Sequence, residues 1–362
     1  MYTIDRQGVK YMKHTKFGKR LISIILCIMT ALPLCACASD EPKQKQVFAM
    51  DTVMTLTAYG KNADAGLDGA AGIINSLDGM LDPDSEGSYT FLLNNAEGSD
   101  VVVTPQIAEM LSTALSVCKL SGGALDLSVY PIYEAWGEFS EETGRIPGSD
   151  ELSELKKSLH FSEMQITDFE GEYNYSVRMP AGTQISFGAV AKGCASKYAI
   201  DAMRKAGVES GIVSLGGNVQ TLGHKPDGSN WTIAVEDPHD TGSYIGTLSV
   251  GETAVVTSGN YQRYFVGSDG VKYHHLIDPS TGKPAENNLV SVTIICSDGT
   301  LADCLSTAMF ILGEDAAIKY WRDNGGFDMI LITDDDRVVC TSGLIEVFTL
   351  TNKDNYTVSM VE

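Results

Sequence analysis

The stretch ISFGAVAKGCASKYAIDAMRKAGVESGIVSLGGNVQTLG, residues 185–223, holds the pattern that decides the fold class. Its apolar beginning predicts a short strand, and a helix with Lys192 in its first turns should follow and end at Gly207. Two further strands should flank Gly216–Gly217. A strand, a helix and a hairpin in direct succession favour an α+β fold over a regularly alternating parallel sheet.

The chain before this stretch has the same mixed character. VFAMDTVMTLTAYG, residues 47–60, alternates and is β-branched, which predicts one early strand, and residues 62–80 predict a helix. A second helix should have Thr104 as its cap and Pro105 in its first turn, and Gly122–Gly123 should end it.

After residue 223, strands and helices are predicted in separate groups rather than in regular alternation. Short strands are predicted over residues 231–296, two helices over 300–326, and three strands close the chain. Residues 137–182 are polar and irregular, with a short helix near 150–158, and predict an excursion from the core or a small lobe.

The N-terminus predicts export and a lipid anchor. KFGKR precedes LISIILCIMTALPL, an apolar run that is too short to span a bilayer and suits a signal peptide. Leu34-Cys35-Ala36-Cys37 resembles the bacterial lipobox. We therefore expect a signal peptide over 1–36 and lipid on Cys37 at the extracytoplasmic face of the cell membrane. An uncleaved anchor is the alternative.

The remaining boundaries follow from composition. SDEPKQKQ is typical of a polar tether, so residues 37–46 should link the anchor to a main domain at 47–352, and 353–362 should form a tail. The formal net charge of −21 argues against nucleic acid as a partner. Five scattered cysteines beyond the N-terminal region predict buried free thiols rather than zinc ligands; they are Cys118, Cys194, Cys296, Cys304 and Cys340.

Two segments could hold a charged ligand. Asp303 and Thr307 are four residues apart on one helix face and offer hard oxygen ligands that suit Mg²⁺, although a polar pair inside a helix is the simpler alternative. Lys192 lies where a glycine-containing turn opens a helix, and an ammonium beside free helical amides suits a pyrophosphate. Gly188 could instead serve close packing.

Two further segments could frame a planar ring or supply a base. Asp126 is followed by Tyr130, Tyr133 and Trp136, which either bind a ring or form core. In YHHLIDPSTGKP, residues 273–284, His274 and His275 should face opposite sides of a strand, so at most one points into a site. A structural or solvated histidine is the alternative.

These segments, in this order, resemble the FAD:protein FMN transferase family, the ApbE-type flavin transferases, over residues 47–333. MDTVMTLTAYG is similar to the family's M-G-T strand, and GGALDLSVYPIYEAWG to its G-A-F-D-P-T…P…W-G segment. ISFGAVAKGCA resembles D-L-G-G-I-A-K-G-Y-A, and VSLGGNV resembles L-G-G-N. HHLIDPSTGKP resembles H-I-I-D-P-x-T-G-x-P, and LADCLSTAMFILG resembles A-D-A-L-S-T-A-L-F-V-L-G.

The resemblance implies a T-fold-related α+β fold, with mixed or antiparallel sheets, packed helices and FAD in a cleft beside a smaller lobe. It implies an Mg²⁺-dependent reaction that splits FAD, attaches FMN to a threonine or serine of an acceptor protein and releases AMP. Hydrolysis of FAD to FMN and AMP, or flavin binding without catalysis, are the alternatives. Acceptors in the family carry a Ser/Asp-Gly-Ala-Thr/Ser-like motif. DGAA at 68–71 lacks the hydroxyl, so the acceptor should be another protein.

The resemblance also implies roles for single residues. His275 corresponds to the catalytic histidine, expected as a neutral base with a pKa near 6.5, and Lys192 to the phosphate-binding lysine. Ser186 stands where the family usually has aspartate, and the stretch 77–94 has no aromatic at the position where many members place one near the isoalloxazine. The implied magnesium ligands are Ala189, through its carbonyl, Asp303 and Thr307. The implied FAD-binding residues besides Lys192 are Met50, Ala124, Leu125, Asp126, Ser186 and Ile277.

Overall fold

The computed structural model describes residues 41–137, 139–168 and 175–362, all of which belong to one unit, Ser39–Glu362. The predicted signal peptide and Cys37 lie outside the described residues. The helices within them are α1 (Ala63–Leu81), α2 (Tyr89–Asn94), α3 (Pro105–Leu120), α4 (Tyr130–Ala135), α5 (Ser149–Leu155), α6 (Ala191–Lys205), α7 (Gly299–Leu312) and α8 (Glu314–Asn324).

The strands in the same part of the chain are mostly short and concentrate after α6. They are β1 (Lys43–Ala49), β2 (Thr52–Ala58), β3 (Val101–Val103), β4 (Gln165–Asp168), β5 (Tyr175–Arg178), β6 (Gly211–Leu215), β7 (Asn218–Leu222), β8 (Trp231–Asp237), β9 (Asp240–Val250), β10 (Ala254–Gly259), β11 (Tyr264–Val266), β12 (Lys272–His274), β13 (Ile277–Asp278), β14 (Lys283–Pro284), β15 (Leu289–Cys296), β16 (Asp328–Thr333), β17 (Arg337–Thr341), β18 (Phe348–Leu350) and β19 (Thr357–Val361).

A central sheet organises the described residues into three layers. Its order is β1-β2-β6-β7-β10-β15-β16-β17-β19, and every neighbouring pair is antiparallel except β17 and β19. Along β16, Met329 and Leu331 pack with the helices, whereas Ile330 and Ile332 pack against a second sheet, β18-β9-β8. This alternation is the period-2 pattern of a strand buried on both faces. The predicted α+β fold is confirmed.

The predicted excursion forms a small structure of its own. β5 pairs with both β3 and β4, and α5 follows Gly148. A separate apolar cluster joins this region to the segment around His275. Within it, the Trp136 indole Nε1 donates to the Gly282 carbonyl at 2.9 Å. The members of the cluster are Ile132, Trp136, Phe139, Leu152, Phe265 and Ile277.

Both predicted ends of the domain are wrong by one strand. β1 begins at Lys43, inside the predicted tether 37–46, and Lys43 and Lys45 form ion pairs with Asp64 and Asp68 of α1. β19 lies inside the predicted tail 353–362 and pairs with β17. Both are outer strands of the central sheet with largely exposed side chains, so their composition resembles that of a linker.

Two predicted elements near the site also differ. Residues 47–60 form parts of a hairpin, because the chain turns at Met50 and Asp51, whose φ values of 49° and 58° are left-handed. The predicted strand at Ile185 is irregular chain instead. The Asn94 side chain bonds both the amide and the carbonyl of Ile185, at 2.7 and 3.0 Å, in place of a strand partner. These side-chain bonds satisfy a buried backbone that no strand pairs.

Two smaller findings complete the fold. All five cysteines in the described residues are free and buried, as predicted. Thr104 occupies the cap position of α3, and Pro105 follows, but the Thr104 side chain makes no capping hydrogen bond. None of the described helices combines the length and the apolar composition that a membrane crossing requires.

Candidate active site

One end of the central sheet collects several turns, and we call it the site end. It comprises the β1–β2 turn at Met50–Asp51, the β6–β7 turn at Gly216–Gly217 and the end of β10 at Gly259. Gly216 and Gly217 have φ values of 57° and 98°, which suits a tight hairpin. A Cβ at Gly216 would lie 2.7 Å from Thr52 Oγ1, so the two turns approach each other closely.

α6 and α7 cross at this end through a pair of glycines. A Cβ at Gly193 would lie 2.1 Å from the Gly299 carbonyl and 2.6 Å from Asp303 Cβ, so only glycine permits this crossing. Asp298 caps α7 by accepting from Leu301 N at 3.0 Å. The capped helix therefore presents Asp303 in its second turn to the beginning of α6.

Asp303 is a buried carboxylate with few donors. Its exposed fraction is 5%, and its Oδ2 accepts from Gly193 N at 2.7 Å. Burial raises the pKa of the Asp303 carboxyl, and the nearby Lys192 charge, the Gly193 N–H and the Asn218 amide oppose that rise only in part. The structure thus brings Lys192 and Asp303, predicted from separate motifs, to one place.

The implied magnesium ligands suit a hard cation. Thr307 follows Asp303 by one turn of α7 and is half-buried, and the half-buried Ala189 precedes α6. Within the described residues, no group of three His, Cys, Asp or Glu could hold a metal by itself. Mg²⁺ commonly takes one or two carboxylates together with substrate phosphates and water, which a single buried aspartate with few donors fits.

The helical amides at the start of α6 are mostly engaged, contrary to the sequence-based expectation. Val190 N and Ala191 N donate to the Phe187 carbonyl at 2.9 and 2.8 Å, and Gly193 N donates to Asp303. These bonds occupy the amides in the first turn of α6. The Lys192 side chain is therefore the group in this turn that remains for binding a phosphate. The phosphate site therefore depends on a side-chain charge more than on backbone amides.

His274 is a structural residue. It is buried, its Nδ1 accepts from Leu276 N at 3.3 Å, and its Nε2 lies 3.1 Å from the Ala285 carbonyl. The ring also meets Phe310 edge-on at a centroid distance of 5.6 Å. Burial lowers the pKa of His274 to about 4, so the ring is neutral, and Nε2 carries the hydrogen that it donates to Ala285.

His275 lies in different surroundings, but it follows the end of β12 at a bend, so the predicted strand alternation does not extend to it. Its Nδ1 lies 3.2 Å from the Arg263 carbonyl, to which it donates, so the neutral ring keeps Nε2 as an acceptor. Burial lowers the pKa of His275 to about 3, and the charges of Arg263 and Lys192 add to this effect. This value lies below the expected 6.5, and the half-buried ring is neutral near pH 7, as a proton acceptor requires.

The implied FAD-binding residues divide into two groups. Asp126 Oδ1 accepts from Ser128 N at 2.8 Å, and burial raises the pKa of the Asp126 carboxyl. Ser186 N donates to the Leu127 carbonyl at 3.2 Å, which brings the Asp126 and Ser186 segments together. Met50 is half-buried at the site end, where its amide donates to Asp78 Oδ1 at 2.8 Å.

The second group has buried side chains. Leu125 packs in the main core, and Ile277 packs in the small apolar cluster with Trp136, while Ala124 is also buried. A ligand at these positions would meet the backbone rather than the side chains. For Trp136, the alternative of a core residue is the correct one.

The sequence argument missed Asn218 and Asp78. Asn218 follows Gly216–Gly217 in the L-G-G-N motif and influences the pKa of Asp303 across the sheet–helix interface. Its place in a quoted motif was the available signal. Asp78 lies on α1, and its contact with Met50 joins residues 28 positions apart that no local pattern connects.

Comparisons with known proteins agree with this geometry. Residues 50–331 match the ApbE family. The chain is 29% identical over 347 residues to the FAD:protein FMN transferase of Treponema pallidum, covering 90% of this chain and 94% of that protein. It is 26% identical over 351 residues to the protein of the same name from Haemophilus influenzae, covering 92% and 100%.

Solved structures show the same fold. The crystal structure of the ApbE protein from Thermotoga maritima superposes with a TM-score of 0.74 at 30% identity, covering 81% of this chain and 95% of that one. The apo flavinyl transferase ApbE of Pseudomonas stutzeri gives a TM-score of 0.71 at 25% identity, covering 86% and 94%.

Proposed function

Because the chain belongs to the ApbE family, we propose that it is an FAD:protein FMN transferase that attaches FMN through a phosphoester to a threonine or serine of an acceptor protein and releases AMP. The names of relatives that match along nearly their whole length support this proposal. The alternatives, an FAD pyrophosphatase or a flavin-binding protein without catalysis, would use the same pocket.

The observation that carries the proposal is the juxtaposition of Lys192 with the buried Asp303 across the Gly193–Gly299 crossing. A buried carboxylate with few donors requires a cation, and an ammonium beside it suits an anionic substrate. Mg²⁺ held by Asp303, Thr307 and the Ala189 carbonyl would draw negative charge from the pyrophosphate. Lys192 would neutralise and orient the same phosphates.

His275 is proposed to act on the acceptor hydroxyl. The hydroxyl oxygen forms a bond to the FMN phosphorus, the bond to the AMP phosphate oxygen breaks, and the hydroxyl proton passes to His275 Nε2. A pKa of about 3 makes the free ring a weak base. Phosphate charges arriving beside Lys192 raise that pKa, so the imidazole becomes a better acceptor when FAD is bound.

A mass measurement on the acceptor tests the proposal. The purified chain is incubated with FAD, Mg²⁺ and a protein bearing a Ser-Gly-Ala-Thr segment, and the acceptor is then weighed. A gain equal to FMN less water, with AMP released, supports a transferase. FMN and AMP without a gain in acceptor mass indicate a pyrophosphatase, and unchanged FAD indicates binding alone.

We also propose that the protein is held by lipid on Cys37 at the extracytoplasmic face of the membrane. The support is the LCAC stretch after a short apolar core. Cys37→Ala is expected to release the protein from membranes or leave it unprocessed, as fractionation and mass measurement of the N-terminus would show. Normal cleavage with unchanged membrane retention would contradict the anchor.

A further inference from the structure

The hairpin of β11 and β12 leads directly to His275. β11 pairs with β12 and with no other strand in the described part of the chain. At the base of the hairpin, the His275 amide and the His275 Nδ1 each donate to the Arg263 carbonyl at 3.2 Å. The position of the imidazole is therefore tied to the residue that immediately precedes β11.

The register of the hairpin shows which backbone groups of β11 it leaves unused. His275 N at one end and Gly267 N at the other each donate to a carbonyl of the opposite arm. Hydrogen-bonded and non-bonded pairs alternate in an antiparallel ladder, so Tyr264 and Val266 belong to non-bonded pairs. The N–H and C=O groups of these two residues point away from β12, and we call them the outer edge of β11.

The outer edge of β11 has no backbone partner among the residues that the structure describes. The side chains of Tyr264 and Val266 are exposed as well, at 39% and 50%. The end of β12 differs, because Ala285 N donates to the Leu276 carbonyl at 2.8 Å and the Ala285 carbonyl lies 3.1 Å from His274 Nε2. A further segment of the chain therefore lies against the end of β12, while the outer edge of β11 stays open.

An open strand edge is a template for pairing with another polypeptide, and proteins usually protect such edges. The length of this edge limits what can pair with it. β11 has three residues, and a strand rises about 3.3 Å per residue, so the edge is about 10 Å long. A stable contact between two proteins buries about 1,600 Å² in total, far more than one short strand pair supplies. The size of the edge suits a substrate that binds and leaves, rather than a second copy of the chain.

We propose that the outer edge of β11 binds an extended segment of the acceptor protein as a third strand, and that this pairing brings the acceptor threonine or serine to His275. The inference rests on the proposed function, in which a protein hydroxyl is the acceptor. Main-chain pairing recognises the extended backbone of a segment, and neighbouring side chains add selectivity. We expect the segment to carry a β-branched or aromatic residue beside Val266.

Val266→Pro tests the edge in the full chain. The Val266 amide points away from β12, so proline removes an outer donor without breaking a hairpin bond, and edge strands tolerate proline. The KM for an acceptor protein bearing a Ser-Gly-Ala-Thr segment is expected to rise on the order of 10-fold, because a donor is lost and the ring obstructs pairing. The Kd for FAD, measured by titration, should stay at the wild-type value.

Lys272→Pro is the matched control, because Lys272 faces Val266 across the hairpin and its amide points to the opposite edge. It is expected to keep the wild-type KM for the acceptor. Lys272→Ala measures the loss of the side chain, whose Nζ lies 4.2 Å from the centroid of the Tyr264 ring. An equal rise in KM in both proline variants, beyond that of Lys272→Ala, would overturn the inference, because it would indicate damage to the hairpin rather than to one edge.

Two exposed tyrosines provide a second measurement if Val266→Pro does not fold. Tyr264→Ser removes a side chain beside the outer edge, and Tyr244→Ser removes a tyrosine of β9 that is 52% exposed. Tyr264→Ser should raise the KM for the acceptor a few-fold, because a cross-strand contact is lost, and Tyr244→Ser should leave it unchanged. Equal KM values for the two variants would overturn the inference.

The same measurements separate this inference from the proposed function. A wild-type KM in Val266→Pro, in a chain that transfers FMN, would overturn the role of the outer edge and leave the proposed function intact. Absence of transfer by the wild type would contradict the proposed function itself, and with it the acceptor that this inference requires. Sedimentation velocity tests a second copy as the occupant. Conversion of a dimer to a monomer by Val266→Pro, with an unchanged KM, would also overturn the inference.

Discussion

Asp303 and Asp237 are equally buried, each with an exposed fraction of 5%, yet the chain gives them different surroundings. Asp237, at the end of β8 in the second sheet, accepts from Tyr356 Oη at 2.6 Å, from Asn352 Nδ2 at 3.2 Å and from His239 N at 3.0 Å. Asp303 accepts from Gly193 N, and burial raises its pKa. The fold surrounds the first carboxylate with donors, whereas it gives the second fewer of them.

The difference separates two uses of a buried charge. A carboxylate that the chain surrounds with donors stabilises the fold, and removing any donor costs stability. A buried carboxylate with too few donors destabilises the fold, and packing elsewhere must offset that cost. Its burial becomes favourable only when a cation binds to it.

Replacing Asp303 and Asp237 with asparagine, one at a time, is the strongest test of the difference between the two carboxylates. Asp303→Asn is expected to reduce FMN transfer by a factor on the order of 10²–10³ or more, because a ligand and its charge are lost. Its stability should stay the same or increase, since a buried charge disappears. Transfer rates from acceptor mass and urea unfolding provide the two measurements.

Asp237→Asn should show the reverse pattern. It is expected to lose about 1–3 kcal/mol of unfolding free energy, because the new amide nitrogen replaces an oxygen that accepts either from Tyr356 or from Asn352. Its transfer rate per folded molecule should match the wild type. Equal effects of the two substitutions on activity, or on stability, would remove the distinction between the two carboxylates.

The adjacent residues His274 and His275 show the same contrast between a structural residue and a proposed functional one. His275→Ala is expected to keep FAD affinity within a few-fold and to lose transfer by a factor on the order of 10²–10⁴, because the acceptor hydroxyl loses its proton acceptor. His274→Ala should keep the transfer rate per folded molecule and lose on the order of 2 kcal/mol of stability, because the Phe310 contact and the Ala285 bond disappear. Covalent flavin fluorescence on the acceptor after denaturing electrophoresis, with urea unfolding, measures both. A reversed pair of phenotypes would exchange the two roles.

The buried His274 also predicts a pH dependence of stability. Its pKa is about 4 in the fold against 6.5 for a solvated imidazole, so the unfolded chain binds the proton first as the pH falls. Stability from this residue is complete above about pH 6.5 and is lost toward pH 4, with roughly 2 kcal/mol lost between pH 7 and pH 5. Urea unfolding at both pH values should show a smaller loss in His274→Gln than in the wild type. The exposed His224→Gln should behave like the wild type, and an unchanged loss in His274→Gln would contradict the assignment.

Local patterns predicted the elements that pack with a clear period. The helices that became α1, α3, α6, α7 and α8 and the Gly216–Gly217 hairpin were all predictable, since apolar spacing and glycine placement determine them locally. The outer strands β1 and β19 were not, because exposed strands are polar and their pairing depends on distant partners. The strand predicted at Ile185 failed because a side chain, Asn94, takes the place of a strand partner.

The sequence predicted candidate site residues but not the environment of their side chains. The motifs indicated Lys192, Asp303 and His275, and the Lys192 charge acts on both of the other groups. The lowered pKa of His275 and the missing donors at Asp303 depend on burial by segments far apart in sequence, which no local pattern reports.

The smallest expected effect concerns two neighbouring turns at the site end. Both adopt left-handed backbone conformations, but they do so with different residue types. The β6–β7 turn uses Gly216–Gly217, whereas the β1–β2 turn holds Met50 and Asp51 at φ values of 49° and 58°. Methionine is strained there and aspartate tolerates the conformation better. Met50→Gly should therefore stabilise the protein by roughly 0.5–1 kcal/mol after the entropy cost of glycine, and Asp51→Gly should change it little.

The two glycine variants should differ in FAD binding as well. If Met50 is kept in a strained turn for its side chain, Met50→Gly gains stability and loses FAD affinity a few-fold, while Asp51→Gly keeps the wild-type affinity. Urea unfolding and FAD titration of both variants measure these small differences. Greater stability with unchanged FAD affinity in Met50→Gly would show that the left-handed conformation of Met50 does not serve FAD binding.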